Sequence, residues 1–233
     1  MALPFFYVDD LPSTDLVLDE NTSKHITGVL RMKVGEVLLL TDGKGTKATA
    51  TITDDHRKRC AVHIDALEKE AQKTERVCIA ISLVKNAARF EWFLEKATEM
   101  GVAEIIPLLC ERTEKETFRH DRMQAIVISA MLQSQQSWLP LLHAPMEFAK
   151  LVNAREDAQK FIAHCLPQQR LALHAIFKKS LGNAIVLIGP EGDFTEGEIA
   201  QAVKHNYRPV TLGATRLRTE TAGMVAAAWL CAE

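Results

Sequence analysis

The most constraining stretch of this chain is its last, Ile185 to Glu233, because it states one pattern twice. Ile185-Val186-Leu187-Ile188 is a short apolar run that stops at Gly189-Pro190-Glu191-Gly192, which reads as a buried strand meeting turn residues. Thr195 stands three residues before Glu198, a capping-box spacing that predicts a helix through about His205. Val210-Thr211-Leu212 then stops at Gly213 and an arginine-rich loop, after which Thr219 is placed to cap a last, alanine-rich helix. Two strand–glycine-loop–helix units in succession predict parallel strands whose C-terminal loops open on one edge. In open α/β sheets ligands bind at that edge.

The pattern extends upstream. Val77 to Val84 is nearly continuously apolar, as expected of a strand covered on both faces. Arg89 to Met100 has helical spacing and closes at Gly101, Glu104 to Leu108 returns as a strand, and Arg119 to Trp138 reads as a long helix ended by Pro140. A short helix at Met146 to Val152, a strand at Phe161 to Cys165 and a helix at Leu171 to Lys179 follow. Strands alternating with helices argue for an α/β domain with a mainly parallel sheet over residues 77–233.

Residues 1–70 are patterned differently. Glu36 to Thr41 and Thr46 to Thr53 are β-biased and flank Asp42-Gly43-Lys44-Gly45, a hairpin signal, and Cys60 to Leu67 alternates as a third strand. Asn21 to Arg31 predicts a short helix capped by Asn21 or Thr22, with Ile26, Val29 and Leu30 facing inward. A small β-barrel with one helix is the expectation here, joined to the α/β domain by a linker at 71–76 within a polar stretch.

Composition narrows the function. With 47% hydrophobic and 25% charged residues the chain is of ordinary globular type, and its formal net charge of −2 gives no global basic footprint for nucleic acid. A local stripe remains: His56-Arg57-Lys58-Arg59 is the densest basic run, with Lys24 and Arg31 expected nearby. Read alone, Lys24, Arg31, Arg57, Lys58 and Arg59 are either a solvated loop face or a phosphate-contacting patch for RNA. Five cysteines scattered without CxxC spacing point to a reducing compartment, and no His or Cys pattern predicts a metal. No apolar run approaches a membrane span, so a cytoplasmic protein with no membrane partner is expected.

The first glycine loop lacks both the GxGxxG of dinucleotide folds and the Gly-Lys-Ser/Thr of P-loops. Glu191 and Asp193 would also repel a pyrophosphate at that helix N-terminus. The loop is either a plain Pro-Gly turn or a cradle for an adenine-ribose ligand without phosphates, such as S-adenosylmethionine, whose sulfonium tolerates nearby carboxylates. In the second loop, Arg218 and Glu220 are either a buried ion pair or a guanidinium presented to a substrate that becomes anionic.

GPEGDF followed by LGATRLRTETA closely resembles the paired C-terminal motifs of the RsmE family, SPOUT-class methyltransferases that use S-adenosylmethionine to methylate N3 of a uridine in small-subunit (16S) ribosomal RNA. The resemblance extends to Glu95-Lys96-Ala97-Thr98-Glu99-Met100-Gly101-Val102, to Pro107 with Glu111-Arg112-Thr113, to Gln133-Ser134 with Trp138-Leu139-Pro140, and to Leu30-Arg31-Met32, Gly35-Glu36 and Asp42-Gly43. It implies a PUA-like N-terminal β-barrel, a C-terminal α/β domain tied in a trefoil knot, and a homodimer acting on 16S rRNA within the small ribosomal subunit. By position it implies that His164, Gly189, Glu191, Gly192, Leu212, Gly213 and Leu217 line the cofactor site. Arg218 would stabilise charge on the uracil, and Glu220 would act as base or as structural partner of Arg218. Three positions depart from the family: Asp193 stands where a second glycine is common, Gln136 where arginine is common, and Leu132 where an acid is common. Two other classes stay open on residues alone: an RNA-binding or ribosome-assembly protein of this fold without catalysis, and a methyltransferase for another RNA site.

Overall fold

The computed structural model describes residues 3–114, 117–167 and 170–232. It divides into two compact units: the chain through Gln72 together with Met131–Leu139, and Lys73–Ala130 with Pro140 onward.

In the first unit, β1 (Phe5–Tyr7) and β2 (Asp15–Val17) precede α1 (Glu20–Lys24), which runs on as a π-helical turn over His25–Val29. Then come β3 (Val37–Thr41), β4 (Thr46–Asp54) and β5 (Ala61–Lys69), giving one sheet in the order β1-β3-β4-β5-β2. Its core gathers Phe6, Ile26, Leu38, Leu40, Ile52 and Val62. The β3–β4 turn uses its glycines as expected: Gly43 and Gly45 have φ of 67° and 89°, and a Cβ on Gly45 would run into the Trp138 ring.

Three expectations change here. Asp19, not Asn21 or Thr22, caps α1, because its carboxylate accepts from both of their amides at 2.8 and 3.1 Å. Val29 and Leu30 face out, at 70% and 43% exposure, while Ile26 is fully buried. The wider π turn rotates them away from the face that ordinary helical spacing would give them. The third strand runs on to Lys69, two residues past the expected Leu67, with Glu68 in register opposite Lys47 and the Lys47 ammonium 3.7 Å from the Glu70 carboxylate.

In the second unit the order is β6 (Val77–Ser82), α2 (Ala87–Glu99), β7 (Glu104–Leu109) and α3 (His120–Gln133), whose last residues count with the first unit. Next are β8 (Leu141–Leu142), β9 (Met146–Glu147), α4 (Phe148–Ala154), β10 (Gln159–Ala163), β11 (Leu171–Ala172) and α5 (Leu173–Ile176). β12 (Ala184–Ile188), α6 (Glu196–Lys204), β13 (Arg208–Thr211) and α7 (Thr219–Cys231) complete it. All its ladders are parallel, in the order β11-β13-β10-β12-β6-β7-β8 with β9 beside β7. β6 and β12 are buried along their whole length, which explains their unbroken apolar runs.

The Thr195–Glu198 capping box forms in full. α3 ends at Gln133, five residues before Trp138, and Gln135 takes a left-handed φ of 58°. Between Leu171 and Lys179 only Leu173–Ile176 is α-helical, because Leu171 and Ala172 pair with β13 instead. β12 and β13 are not neighbours: β10 lies between them, so the loop after β10 enters the same edge.

Candidate cofactor and catalytic site

Three adjacent strand ends, β13, β10 and β12, deliver three loops to one cavity of about 600 Å³. One wall is His164 and Cys165, the second is Gly189-Pro190-Glu191 with Asp193, and the third is Leu212 through Arg218. Thr219 and Ala222 of α7 close it, with Arg170 also on the lining.

Of the residues singled out for a cofactor, His164, Gly189, Glu191, Leu212, Gly213 and Leu217 all lie on this wall. Gly192 does not. It packs behind the loop, where its carbonyl accepts from Arg112 Nη1 at 2.8 Å and a Cβ would press to 3.3 Å from Arg112 Cδ. Gly189 is held by Thr219 Oγ1, which donates to its carbonyl at 3.0 Å, and has no room for a side chain because Phe194 fills the space. Thr219 therefore ties the β12 loop to α7 instead of capping that helix; Arg218 occupies the cap position without a side-chain cap bond. Glu191 is tethered on both sides, its carboxylate accepting from Lys85 N at 3.3 Å and its carbonyl facing Arg216 at 3.5 Å.

His164 is only 4% exposed, and both ring nitrogens lack a partner among the described residues. Burial pushes its pKa down; Asp193 opposes that shift and Arg170 adds to it. The ring is thus neutral at pH 7, with donor and acceptor capacity unspent. Buried polar atoms normally find partners, so an orphaned imidazole beside a cavity fits a site that takes a polar ligand.

Arg218 is exposed on the cavity wall; its carbonyl accepts from Ala222 N at 2.8 Å, and its guanidinium makes no ion pair or hydrogen bond among the described residues. The Arg218–Glu220 pair does not form. Glu220 turns inward instead, buried off the cavity wall, with its Oε1 3.7 Å from Arg89 Nε. Arg89, in the first turn of α2, could not be found from local spacing, since the pairing joins distant parts of the chain. Arg112 belonged to a recognisable tripeptide, but nothing in it signalled a grip on the Gly192 carbonyl.

The basic residues sit in the first unit. Lys24 Nζ and Lys58 Nζ reach the same carboxylate, Glu20, at 2.7 and 3.6 Å, so α1 and the 56–59 turn lie side by side. Arg31, Arg57 and Arg59 are exposed, and among the described residues no shared ion-pair partner draws them to that pair. Leu132 and Gln136 do not line the cavity, and Gln136 Nε2 donates to Ser134 Oγ at 2.8 Å. Among the described residues no helix is long and apolar enough to cross a membrane.

Comparison with known proteins agrees with this geometry. A family profile described as an RNA methyltransferase domain matches residues 70–231, and one described as an RNA methyltransferase PUA domain matches residues 18–65. The ribosomal RNA small subunit methyltransferase E of Synechocystis is 31% identical over 209 residues, covering 88% of this chain and 68% of that one. The crystal structure of a "probable rRNA-methyltransferase" from Porphyromonas gingivalis is 35% identical, with a TM-score of 0.92 over 97% of this chain and 96% of that one. A ribosomal RNA small subunit methyltransferase E from Neisseria gonorrhoeae, solved bound to S-adenosyl methionine, is 29% identical with a TM-score of 0.87, covering 97% and 96%.

Proposed function

The chain belongs to the ribosomal RNA small subunit methyltransferase E family, and from that premise we propose that it methylates N3 of a uridine in 16S ribosomal RNA, using S-adenosylmethionine. The observation that carries the reading is the convergence of three loops on one cavity whose wall holds an unpaired guanidinium, Arg218. The cavity also fits an adenosine-type ligand. Gly189 and Gly213 bring backbone to the wall without side chains, and His164 has two unmet nitrogens.

S-adenosylmethionine, when bound, supplies an electrophilic methyl group on a sulfonium. The protein's task is then to orient N3 and to manage charge. Uridine N3 is protonated at neutral pH and becomes nucleophilic only as that proton leaves. Arg218 stabilises the negative charge that spreads onto the uracil oxygens, with its planar fork of donors. Glu220, held off the wall by Arg89, receives the proton only by way of water. The transfer would exchange the N3–H bond for an N3–carbon bond as the methyl leaves the sulfonium, with the proton passed through water toward Glu220.

In the same reading residues 1–70 grip RNA phosphates through Lys24, Arg31, Arg57, Lys58 and Arg59, and residues 77–233 perform the transfer within the small ribosomal subunit. The knotted loops, the homodimer and the cytoplasmic setting expected of the family belong to this proposal. Five free cysteines support a reducing compartment. Calorimetric titration with S-adenosylmethionine, followed by transfer of labelled methyl to small ribosomal subunits, tests it. Saturable binding and labelled 16S rRNA are expected. Absence of cofactor binding would instead make the chain an RNA-binding protein of this fold.

A further inference from the structure

We infer that Asp193 is a positioning residue for the cofactor, clamping the His164–Cys165 peptide to the loop after β12; this rests on the methyltransferase reading above. Asp193 has a φ of 63°, in the left-handed region that glycine adopts most cheaply and that Asp and Asn tolerate better than other side chains. A glycine would satisfy the backbone here, so the carboxylate is what the residue adds. Its Oδ2 accepts from Cys165 N at 2.7 Å, and its Oδ1 accepts from Phe194 N at 2.8 Å. Both are short, charge-assisted bonds.

The first bond crosses from one cavity wall to another, joining the loops that leave neighbouring strands β12 and β10. The peptide it holds is fixed at its other end as well: the His164 carbonyl accepts from the Arg170 guanidinium. One peptide group on the cavity wall is therefore gripped by a carboxylate on its N–H and a guanidinium on its C=O. Beside it hangs the His164 imidazole with both nitrogens unmet. Holding that peptide fixes where the imidazole stands before any ligand arrives, which removes an ordering cost from binding.

Two substitutions keep the left-handed backbone and separate the clamp from the fold. Asp193→Gly removes both acceptors, while Asp193→Asn retains one oxygen able to accept from Cys165 N. The clamp predicts that Asp193→Gly binds S-adenosylmethionine about 10-fold more weakly, the low end for a lost hydrogen bond to a charged group. The loss should fall on KM for the cofactor, with kcat at saturation within about 3-fold of wild type. Asp193→Asn should recover affinity to within about 3-fold, and hydrogen exchange at the Cys165 amide should speed up in the glycine variant alone. Equal cofactor affinity in wild type and Asp193→Gly would overturn the clamp, as would an asparagine variant no better than the glycine one. Failure of the wild-type protein itself to bind S-adenosylmethionine would instead overturn the cofactor reading beneath it.

Discussion

Gly223→Ala is a substitution whose sign the packing reverses. Gly223 lies in the middle of α7, where glycine ordinarily costs about 1 kcal/mol relative to alanine. On an exposed helix the change would therefore stabilise. Here, however, a Cβ would lie 2.7 Å from Ile81 Cδ1, 2.7 Å from Phe93 Cε2 and 2.9 Å from Phe93 Cδ2. Ile81 in β6 and Phe93 in α2 are both fully buried, so neither has free space into which to retreat. Overpacking of this kind costs about 1–3 kcal/mol, and setting the propensity gain against it leaves a net loss of about 1 kcal/mol. With a urea slope of about 2 kcal/mol per molar, the unfolding midpoint should fall by about 0.5 M. Cofactor affinity should fall with it, because the same helix carries Thr219 and Ala222 on the cavity wall. Urea denaturation followed by circular dichroism reads the first effect. A midpoint that rises by a similar amount would show that α7 does not press on β6 and α2 as described.

Arg218→Ala should lower kcat by about 100-fold or more while leaving cofactor affinity within about 3-fold, and Arg218→Lys should restore only part of the rate; wild-type turnover of the alanine variant contradicts its role. His164 makes stability pH-dependent: its folded pKa is held below the ordinary 6.5, mainly by burial. Both states are neutral above about pH 6.5, and on acidification the unfolded chain takes the proton first. The associated stability is thus full above that pH and lost as pH falls toward the folded pKa. His164→Asn should flatten the stability profile on the acid side of about pH 6.5, and an unchanged profile counts against the buried neutral ring. Lys58→Ala should weaken RNA binding and reduce the dependence of log affinity on log salt by about one. Glu20→Gln, which frees Lys24 and Lys58 from a shared surface carboxylate, should tighten binding about 2-fold. Filter binding at several salt concentrations reads both, and unaltered salt slopes would place the RNA elsewhere.

What could be read from sequence was what local chemistry decides. Apolar runs ending in glycine marked β12 and the cavity edge, and the Thr195–Glu198 spacing fixed the start of α6. Long-range pairings were out of reach. Glu220 and Arg218 are two residues apart and chemically matched, yet Glu220 turns to Arg89 because α2 packs against α7. β10 between β12 and β13 is likewise a matter of strand order, and it is what brings His164 into the cavity. Val29 and Leu30 misled because a π turn has no signature in hydrophobic spacing. Asp193 shows the converse. It departs from the glycine common in the family, yet its backbone keeps the left-handed conformation of a glycine and its carboxylate adds two bonds.

Nucleoside mass spectrometry of ribosomal RNA from cells lacking this protein tests the proposed uridine N3 methylation. 3-Methyluridine should disappear from 16S rRNA, return with the wild-type chain, and not return with Arg218→Ala. Undiminished 3-methyluridine in the deletion strain would contradict it.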